Sequence, residues 1–283
     1  MREDITLLGV IGNPISHSLS PLMHNHVLRQ VGLQWQYLPF LLGSDQDLPG
    51  FLNWMRGSNL RGINVTVPYK EAVIPYLDQM DEVASALGAV NTIVNEAGQL
   101  KGYNTDAPGF IEGLDFDVTD KQVVILGAGG SAKAIAYALL NSAVGSLCIQ
   151  NRQLERATQL KAQLHSQGIC PDISVFELHT KAAYQALAKA DLVVQCTSVG
   201  MDAKSNPLTQ MDWVNPQQYI IDIIYSPLKT PFLAVAQSNG ATIQNGLGML
   251  AGQAAKAFEY FTNKTVGFQA FYQLLETHIK GKQ

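Results

Sequence analysis

The amino-acid sequence predicts an α/β protein with an N-terminal α/β domain, a second domain built on a doubly wound parallel sheet, and C-terminal helices that return to the first domain. Its 283 residues suit about two domains of roughly 150 residues each. Short apolar runs alternate with longer helical patterns, which is typical of βαβ units. A glycine-rich turn directly follows one of the apolar runs. We place the domain boundaries at residues 1–105, 106–246 and 247–283.

In the first domain, strands and helices are predicted to alternate. In chain order we predict strand Leu7–Ile11, helix Pro21–Val31, strand Gln36–Phe40, helix Leu48–Met55, strand Gly62–Val67, helix Glu82–Leu87, and strands Val90–Asn95 and Leu100–Tyr103. The last two strands are joined by a short segment with a turn composition, which predicts a hairpin.

The second domain repeats the strand–helix pattern. We predict strands Val123–Leu126, Ser146–Gln150, Ile173–Phe176, Leu192–Gln195, Tyr219–Ile223 and Thr242–Ile243, with helices Ser131–Leu140 and Leu154–His165. From Leu247 onwards the pattern is mainly helical.

Composition excludes several classes of protein. Hydrophobic residues make up 47% of the chain and charged residues 15%, which excludes an intrinsically disordered protein. Because 19 Lys and Arg face 23 Asp and Glu, we expect no nucleic-acid partner. No segment predicts a membrane span or a signal peptide, so we expect no membrane partner and a cytoplasmic location; a homodimer is left open. The cysteines Cys148, Cys170 and Cys196 show no CxxC spacing and are predicted to be reduced core thiols.

The glycine-rich turn predicts a dinucleotide site. An apolar strand leads directly into a G-x-G-x-x-A motif and then a helix of small residues. The first glycine permits the turn, the second lets the backbone approach a pyrophosphate, and the alanine allows close packing of helix and strand. We therefore predict a Rossmann-type domain in which the cofactor-binding turn consists of Gly127, Ala128, Gly129, Gly130, Ser131 and Ala132.

The end of the next strand indicates which dinucleotide is bound. NAD sites usually carry an acid there, to hold the ribose 2′-hydroxyl. This chain instead has Asn151 and Arg152, followed by Arg156. Two guanidinium groups four residues apart can both reach a 2′-phosphate, which favours NADP. The alternative is that the arginines belong to an ordinary solvated helix face.

Polar residues in the first domain suggest a ligand site. Ser18 and Ser20 precede a helix, and two hydroxyls so spaced can bind a carboxylate; the equally weighted alternative is that Ser20 is a helix N-cap. Asn64 and Thr66 are two residues apart on a predicted strand and so share one face of it, and Lys70 lies just beyond the end of that strand. Asp106 opens a predicted helix. Taken singly, Lys70 could be a surface lysine and Asp106 an N-cap, but the set of polar groups favours function.

Seven segments together resemble the shikimate dehydrogenase family. In chain order they are SLSP, NVTVPYK, GAVNT, the NTD of YNTDAPGF, GAGGSA, NR and NGLGMLAGQ. The resemblance implies reversible NADP-dependent reduction of 3-dehydroshikimate to shikimate, a step in making aromatic amino acids. It implies a catalytic pair, Lys70 and Asp106, beside the carbon that exchanges hydride.

The resemblance also implies the remaining site residues. Ser18 and Ser20 would bind the substrate carboxylate, and Thr66, Asn91 and Gln253 its hydroxyls, with Asn64 in the same set. Tyr225 would line the site near the carboxylate and the nicotinamide. On the cofactor, Gly246 would contact the nicotinamide end, Ile223 stands where methionine is common, and the 2′-phosphate would be held by Asn151, Arg152 and Arg156.

Three other functions are compatible with parts of the sequence. A quinate/shikimate dehydrogenase with relaxed cofactor use is the nearest, and the two serines and two arginines favour the narrower enzyme. A non-catalytic sensor of metabolite and cofactor need not keep both Lys70 and Asp106. A metal hydrolase is disfavoured because His17, His24 and His26 match no ligand spacing, and we expect no metal.

Overall fold

The computed structural model describes residues 5–166 and 172–281. The chain forms two compact units, Met1–Gly109 with Ala251–Thr277, and Phe110–Leu250 with His278–Gln283. Each unit contains one six-stranded sheet. The predicted α/β fold class is confirmed.

The sheet of the first unit is mixed. Its strands are β1 (Leu7–Gly12), β2 (Gln36–Leu41), β3 (Leu60–Val65), β4 (Gln79–Met80), β5 (Thr92–Glu96) and β6 (Gln99–Tyr103). They lie in the order β2-β1-β3-β5-β6-β4. The first three are parallel, whereas β5 is antiparallel to β3 and to β6, so that the predicted hairpin of β5 and β6 is present.

The sheet of the second unit is parallel throughout. Its strands are β7 (Gln122–Leu126), β8 (Ser146–Asn151), β9 (Asp172–Glu177), β10 (Leu192–Gln195), β11 (Tyr219–Asp222) and β12 (Thr242–Gln244). Their order is β12-β11-β10-β7-β8-β9. The order reverses direction at β7 and β10, and ligands bind at the carboxyl ends of strands beside such a point.

Ten α-helices lie in the part of the chain that the structure describes. They are α1 (Ser20–Gln30), α2 (Asp47–Arg56), α3 (Glu82–Leu87), α4 (Asp106–Glu112), α5 (Gly130–Leu140), α6 (Leu154–Ser166), α7 (Lys181–Lys189), α8 (Pro231–Ser238), α9 (Leu247–Thr262) and α10 (Phe268–Lys280). Helices α7 and α8 were not predicted from the sequence. Each follows a threonine whose hydroxyl accepts a first-turn N–H, Thr180 from Ala183 and Thr230 from Leu233.

The four central strands of the second unit, β7, β8, β10 and β11, are buried on both faces, which explains their continuous apolar runs. Along β7, Val123 and Ile125 pack into one hydrophobic cluster, and Val124 and Leu126 pack into a second one. Consecutive side chains of a strand point to opposite faces of the sheet, so helices must cover both. Cys148 lies in the second cluster.

The cysteine prediction is confirmed where it can be examined. Cys148 and Cys196 are free, buried thiols, and burial raises the pKa of each. Cys170 lies outside the described residues. Among those residues, no helix is long and apolar enough to cross a bilayer, and no cluster of three or more His, Cys, Asp or Glu side chains could hold a metal ion.

His24 is a core residue of the first unit. Its ring stacks on Tyr37 with the centroids 4.4 Å apart, and the rings of Phe258, Phe261 and Phe271 surround it. The side chain is fully buried, and neither ring nitrogen has a hydrogen-bond partner among the residues that the structure describes. Burial lowers the pKa of His24 to about 3, because a charged imidazole would be desolvated there.

Replacing His24 with phenylalanine should therefore remove part of the acid sensitivity of folding. The folded state binds fewer protons than the unfolded state below pH 6.5, so stability is lost as the pH falls. At pH 5 this loss amounts to about 2 kcal/mol. In urea titrations at pH 7.5 and 5, the drop in unfolding free energy should be about 2 kcal/mol smaller for His24→Phe than for the unmodified chain. The exposed His17→Phe is the control, and equal drops in all three proteins would contradict the analysis.

Candidate active site

Lys70 and Asp106 form an ion pair in the first unit. Lys70 follows β3 by five residues, in a turn, and Asp106 is the first residue of α4. The ammonium Nζ donates to Asp106 Oδ2 at 2.6 Å. The lysine side chain is 28% exposed and the aspartate 13%, so the pair is shielded yet reachable from solvent. The alternative of a surface lysine is wrong.

Asp106 does not cap its own helix. The side chain of Asn104 performs that role, since its Oδ1 accepts the N–H groups of Asp106 and Ala107 at 3.1 and 3.4 Å. The N-cap interpretation of Asp106 is therefore wrong, and its carboxylate is left to bind Lys70 and Asn91.

Asn91 holds the second oxygen of Asp106. Its Nδ2 donates to Asp106 Oδ1 at 2.8 Å and to the Thr105 hydroxyl at 3.0 Å, while its Oδ1 accepts from the Thr105 N–H at 2.8 Å. Asn91 and Thr105 are buried. Because Thr105 directly precedes Asp106, these bonds fix the start of α4 and the orientation of the carboxylate together.

Asn64 is connected to the ion pair through Asn91. Its Nδ2 donates to Thr92 Oγ1 at 3.0 Å and to the Asn91 carbonyl at 3.3 Å, and its Oδ1 accepts from the Tyr37 hydroxyl at 2.7 Å. Burial raises the pKa of Tyr37, so this hydroxyl is a neutral donor. Asn64 thus binds the backbone of Asn91, and both of its amide hydrogens are already used within the unit.

The other predicted substrate residues of the first unit are half-buried. Helix α1 begins at Ser20 itself, after Leu19, and has no side-chain cap, so the N-cap interpretation of Ser20 is wrong. Its N–H lies 3.3 Å from Ser18 Oγ, which places the two serines side by side. Thr66 lies just after β3, which ends at Val65 and not at Val67 as predicted.

Gln253 lies on α9, and close backbone packing within the first unit places it next to α4. A Cβ on Gly109 would clash with the backbone nitrogen of Gln253, and a Cβ on Gly252 would clash with the Gly109 carbonyl oxygen. Only glycine at both positions allows this approach. Asp106 lies one helical turn before Gly109, so the contact brings the Gln253 segment beside the start of α4.

The second unit has the geometry of a pyrophosphate cradle. Gly127 has φ of +114°, a region that favours glycine. Helix α5 begins at Gly130 after an extended Gly129, without a side-chain cap. A Cβ on Gly129 or Gly130 would meet open space, whereas Ala132 is buried. An open turn at an uncapped helix N-terminus suits an anionic dinucleotide. Ala128 and Ser131 of the same motif are half-buried.

Two arginines follow β8 on the surface. Asn151 is the last residue of β8, and its amide donates to the Gln153 carbonyl at 2.9 Å. Arg152 and Arg156 are exposed at the start of α6, and within the described residues neither forms an ion pair with a carboxylate. These guanidinium groups are available to an external anion.

Ile223, Tyr225 and Gly246 lie near the ends of β11 and β12. Ile223 and Tyr225 are half-buried, and burial raises the pKa of Tyr225. A Cβ on Gly246 would clash with the Ile223 carbonyl oxygen, so Gly246 packs backbone to backbone against the residue after β11. Asn245 Oδ1 accepts the Leu247 N–H at 3.1 Å and starts α9 directly after it.

Several residues that support these groups were not predicted from the sequence. Thr105 lies inside a motif that was singled out, but only the structure shows that it binds Asn91. Tyr37 and Gly109 gave no local signal, because their roles depend on residues distant in sequence: Tyr37 binds Asn64, and Gly109 packs against Gln253.

Comparison with known proteins identifies the family. Family models match at residues 10–93 (shikimate dehydrogenase substrate binding domain), 112–223 (shikimate / quinate 5-dehydrogenase) and 246–276 (shikimate 5′-dehydrogenase C-terminal domain). A shikimate dehydrogenase (NADP(+)) of Moorella thermoacetica is 45% identical over 269 residues, covering 93% of this chain and 90% of that protein. The chain belongs to the shikimate dehydrogenase family. The resemblance inferred from the seven segments is confirmed.

Solved structures of shikimate dehydrogenase type share this fold. A shikimate 5-dehydrogenase from Listeria monocytogenes, in complex with shikimate and NAD, is 34% identical with a TM-score of 0.90, covering 97% of this chain and 99% of that one. A quinate dehydrogenase from Corynebacterium glutamicum, in complex with NAD, is 31% identical with a TM-score of 0.89, covering 96% and 99%. Substrate and cofactor therefore differ among similar folds, and this chain's own residues must decide both.

The close approach at Gly109 predicts that even a methyl group there is harmful. Gly109→Ala should lower the free energy of unfolding by about 1–3 kcal/mol, because the backbone of α9 must move. Gly50→Ala is a matched control inside α2, where a Cβ meets open space, and it should stabilise by about 0.5–1 kcal/mol. Urea denaturation checks both. A neutral Gly109→Ala would show that the two helices are not in backbone contact.

Proposed function

We propose that this chain catalyses the reversible, NADP-dependent reduction of 3-dehydroshikimate to shikimate in aromatic amino acid biosynthesis. The observation that carries the proposal is the ion pair of Lys70 and Asp106, held by Asn91, in a member of the shikimate dehydrogenase family. The name of the Moorella relative, which specifies NADP(+), supports the cofactor.

Substrate binding is assigned to the hydroxyl and amide groups around the ion pair. Ser18 and Ser20, side by side at the start of α1, would bind the carboxylate. Thr66, Asn91 and Gln253 would bind the ring hydroxyls. Tyr225 keeps its predicted role near the carboxylate. Asn64 is also assigned to substrate binding. Its hydrogen bonds to Asn91 and Thr92 support a role in orienting the other substrate-binding residues.

The proton step follows from the hydrogen bonds of the pair. Reduction of a ketone adds a hydride to carbon and a proton to oxygen. NADPH, when bound, supplies the hydride. Both oxygens of Asp106 already accept hydrogen bonds, so the carboxylate orients the Lys70 ammonium, and Lys70 gives its proton to the ketone oxygen. In the oxidative direction, the amine of Lys70 takes the hydroxyl proton.

Cofactor binding is assigned to the second unit. The turn from Gly127 to Ala132 would hold the pyrophosphate, and Asn151, Arg152 and Arg156 the 2′-phosphate. Ile223 and Gly246 would contact the nicotinamide end. The open space beside Gly129 and the two exposed guanidinium groups support this fit.

Three further features of the proposal concern organisation. Residues 1–105 form the substrate-binding and catalytic domain, whose ion pair is completed by Asp106 at the boundary. Residues 106–246 bind the cofactor, and residues 247–283 form helices that pack back on the first domain. A homodimer and a cytoplasmic location remain predictions. Light scattering on the purified chain tests for the homodimer, and fractionation of the cells tests for the cytoplasmic location.

Initial rates of nicotinamide reduction test the activity, with shikimate and quinate each offered NADP and NAD. We expect rapid turnover only with shikimate and NADP. Comparable rates with quinate or NAD would instead assign the relaxed quinate/shikimate activity. Binding of both ligands without turnover in any combination would assign a sensor.

Lys70→Met and Asp106→Asn test the proton step. Each should lower kcat by about 10²–10⁴-fold, because the proton donor is removed or left unoriented. Lys264→Met, which removes an exposed lysine, should leave kcat unchanged. Wild-type turnover by Lys70→Met would falsify the assignment of the proton donor.

Arg152→Ala and Arg156→Ala test the 2′-phosphate site. Each should raise KM for NADP by about 10-fold or more, the effect of losing one charge-assisted hydrogen bond, and leave KM for NAD unchanged. Arg29→Ala removes an exposed arginine of α1 and serves as the control. An equal rise for both cofactors would assign the arginines a role other than phosphate recognition.

A further inference from the structure

A buried polar cluster lies at the carboxyl ends of β10 and β11, among residues with no role in the proposal above. Gln195 and Asp222 end these strands and pair with each other in register. Both side chains are 0% exposed, as is Thr230 at the start of α8. A carboxylate enclosed this fully requires strong hydrogen bonding.

Asp222 collects donors from the segment that follows it. Thr230 Oγ1 donates to its Oδ2 at 2.7 Å, and the Ile224 N–H donates to its Oδ1 at 3.0 Å. Gln195 Nε2 lies 3.3 Å from the same Oδ1. Residues 223–230 are thereby held at both ends by one side chain. Ile223 and Tyr225, both assigned to the site, lie in this segment.

Gln195 holds the segment that follows β10 in the same way. Its Nε2 donates to the Thr197 and Val199 carbonyls, each at 3.1 Å, and its Oε1 accepts the Thr197 N–H. This segment lies against the glycine-rich turn, since a Cβ on Gly127 would be 3.1 Å from Thr197 Cγ2.

The two segments also touch one another. A Cβ on Gly200 would lie 3.5 Å from Ile224 Cδ1 and 3.5 Å from Thr230 Cβ. Gly200 has φ of +112°, so this close turn depends on glycine. The hydrogen bond between Gln195 and Asp222 therefore joins two loops at the edge of the sheet where ligands bind.

A carboxylate is costly at this position. Burial raises the pKa of Asp222 to about 6, and the bonds from Thr230, Ile224 and Gln195 oppose that rise. An apolar side chain would pack there without the penalty, but it could not accept hydrogen bonds from both loops.

We propose that Asp222 is a positioning residue which, through Thr230 and Gln195, fixes residues 196–200 and 223–230 and so places Ile223 and Tyr225 for the nicotinamide half of the cofactor. The inference rests on the proposed function, because the assignment of NADP as the cofactor is part of that proposal. Asp222 acts through the backbone of the two loops.

Binding of two ligands separates this role from general stability. NADPH carries the nicotinamide, whereas adenosine 2′,5′-bisphosphate carries only the adenosine and 2′-phosphate half. Dissociation constants for both are measured without substrate, by fluorescence for NADPH and by calorimetry for the bisphosphate. Asp222→Asn and Thr230→Val should each raise Kd for NADPH by about 10-fold and leave Kd for the bisphosphate within about twofold.

Two control variants address the second role of Thr230 as the cap of α8. Thr230→Ser keeps the hydroxyl and should bind NADPH like the unmodified chain. Thr180→Val removes the equivalent cap of α7, away from Asp222, and should change neither Kd even where its Tm falls as far as that of Thr230→Val.

Three results would overturn the inference. If Asp222→Asn and Thr230→Val raise Kd for NADPH and for the bisphosphate equally, Asp222 has a general structural role. If neither Kd changes in either variant, Asp222 has no role in cofactor binding. In either case the proposed function stands, because the unmodified chain binds both ligands. An unmodified chain that binds neither ligand would contradict the proposed function, and the inference with it.

Discussion

The active site of this chain depends on how one carboxylate divides its two oxygens. One carboxylate oxygen of Asp106 accepts a hydrogen bond from Lys70 and the other accepts one from Asn91. The ammonium is therefore bound by a carboxylate whose own orientation is fixed. Thr105 ties the backbone before Asp106 to Asn91, and Asn64 ties the backbone of Asn91 to β5 through Thr92. A flexible lysine thereby acquires a defined position without being buried completely. Its charge stays partly solvated, which limits the desolvation cost of an ion pair in a protein interior.

The chain contains a second enclosed carboxylate, and the two illustrate different solutions to the same problem. Asp106 is partly shielded and is balanced by a cation. Asp222 is fully enclosed, and its partners among the described residues are a hydroxyl, an amide and a backbone N–H. A cation partner suits a site that must exchange a proton. Neutral donors suit a site that must hold loops in place, because several dipoles can converge on one group from different segments of chain.

How much could be predicted from the sequence depended on whether a residue's role is local. The turn at Gly127 could be predicted because the strand, the glycines and the helix are contiguous in the sequence. The dinucleotide site was predicted from that turn. The polar pattern of the first domain indicated Lys70 and Asp106, and the family resemblance implied their catalytic role and the role of Asn91. Tyr37, Gly109 and Asp222 were missed, since each acts on a partner brought close only by folding. Ser20 was left open for a different reason: a serine before a proline fits an N-cap and a ligand equally well, and only the start of α1 shows that it does not cap.

The surface position of Arg152 and Arg156 has a consequence for how this fold diversifies. In the proposed function, cofactor choice rests on Arg152 and Arg156, whose side chains are exposed, so that substituting them removes no core contact. The proposed proton donor, Lys70, is instead held through Asp106 by a network in which Asn91, Thr105 and Asn64 are all buried. A change of dinucleotide therefore needs only surface substitutions, whereas a change of the proton-transfer groups also requires buried, hydrogen-bonded residues to be replaced. Descendants of such a protein should change their redox partner readily and their reaction rarely.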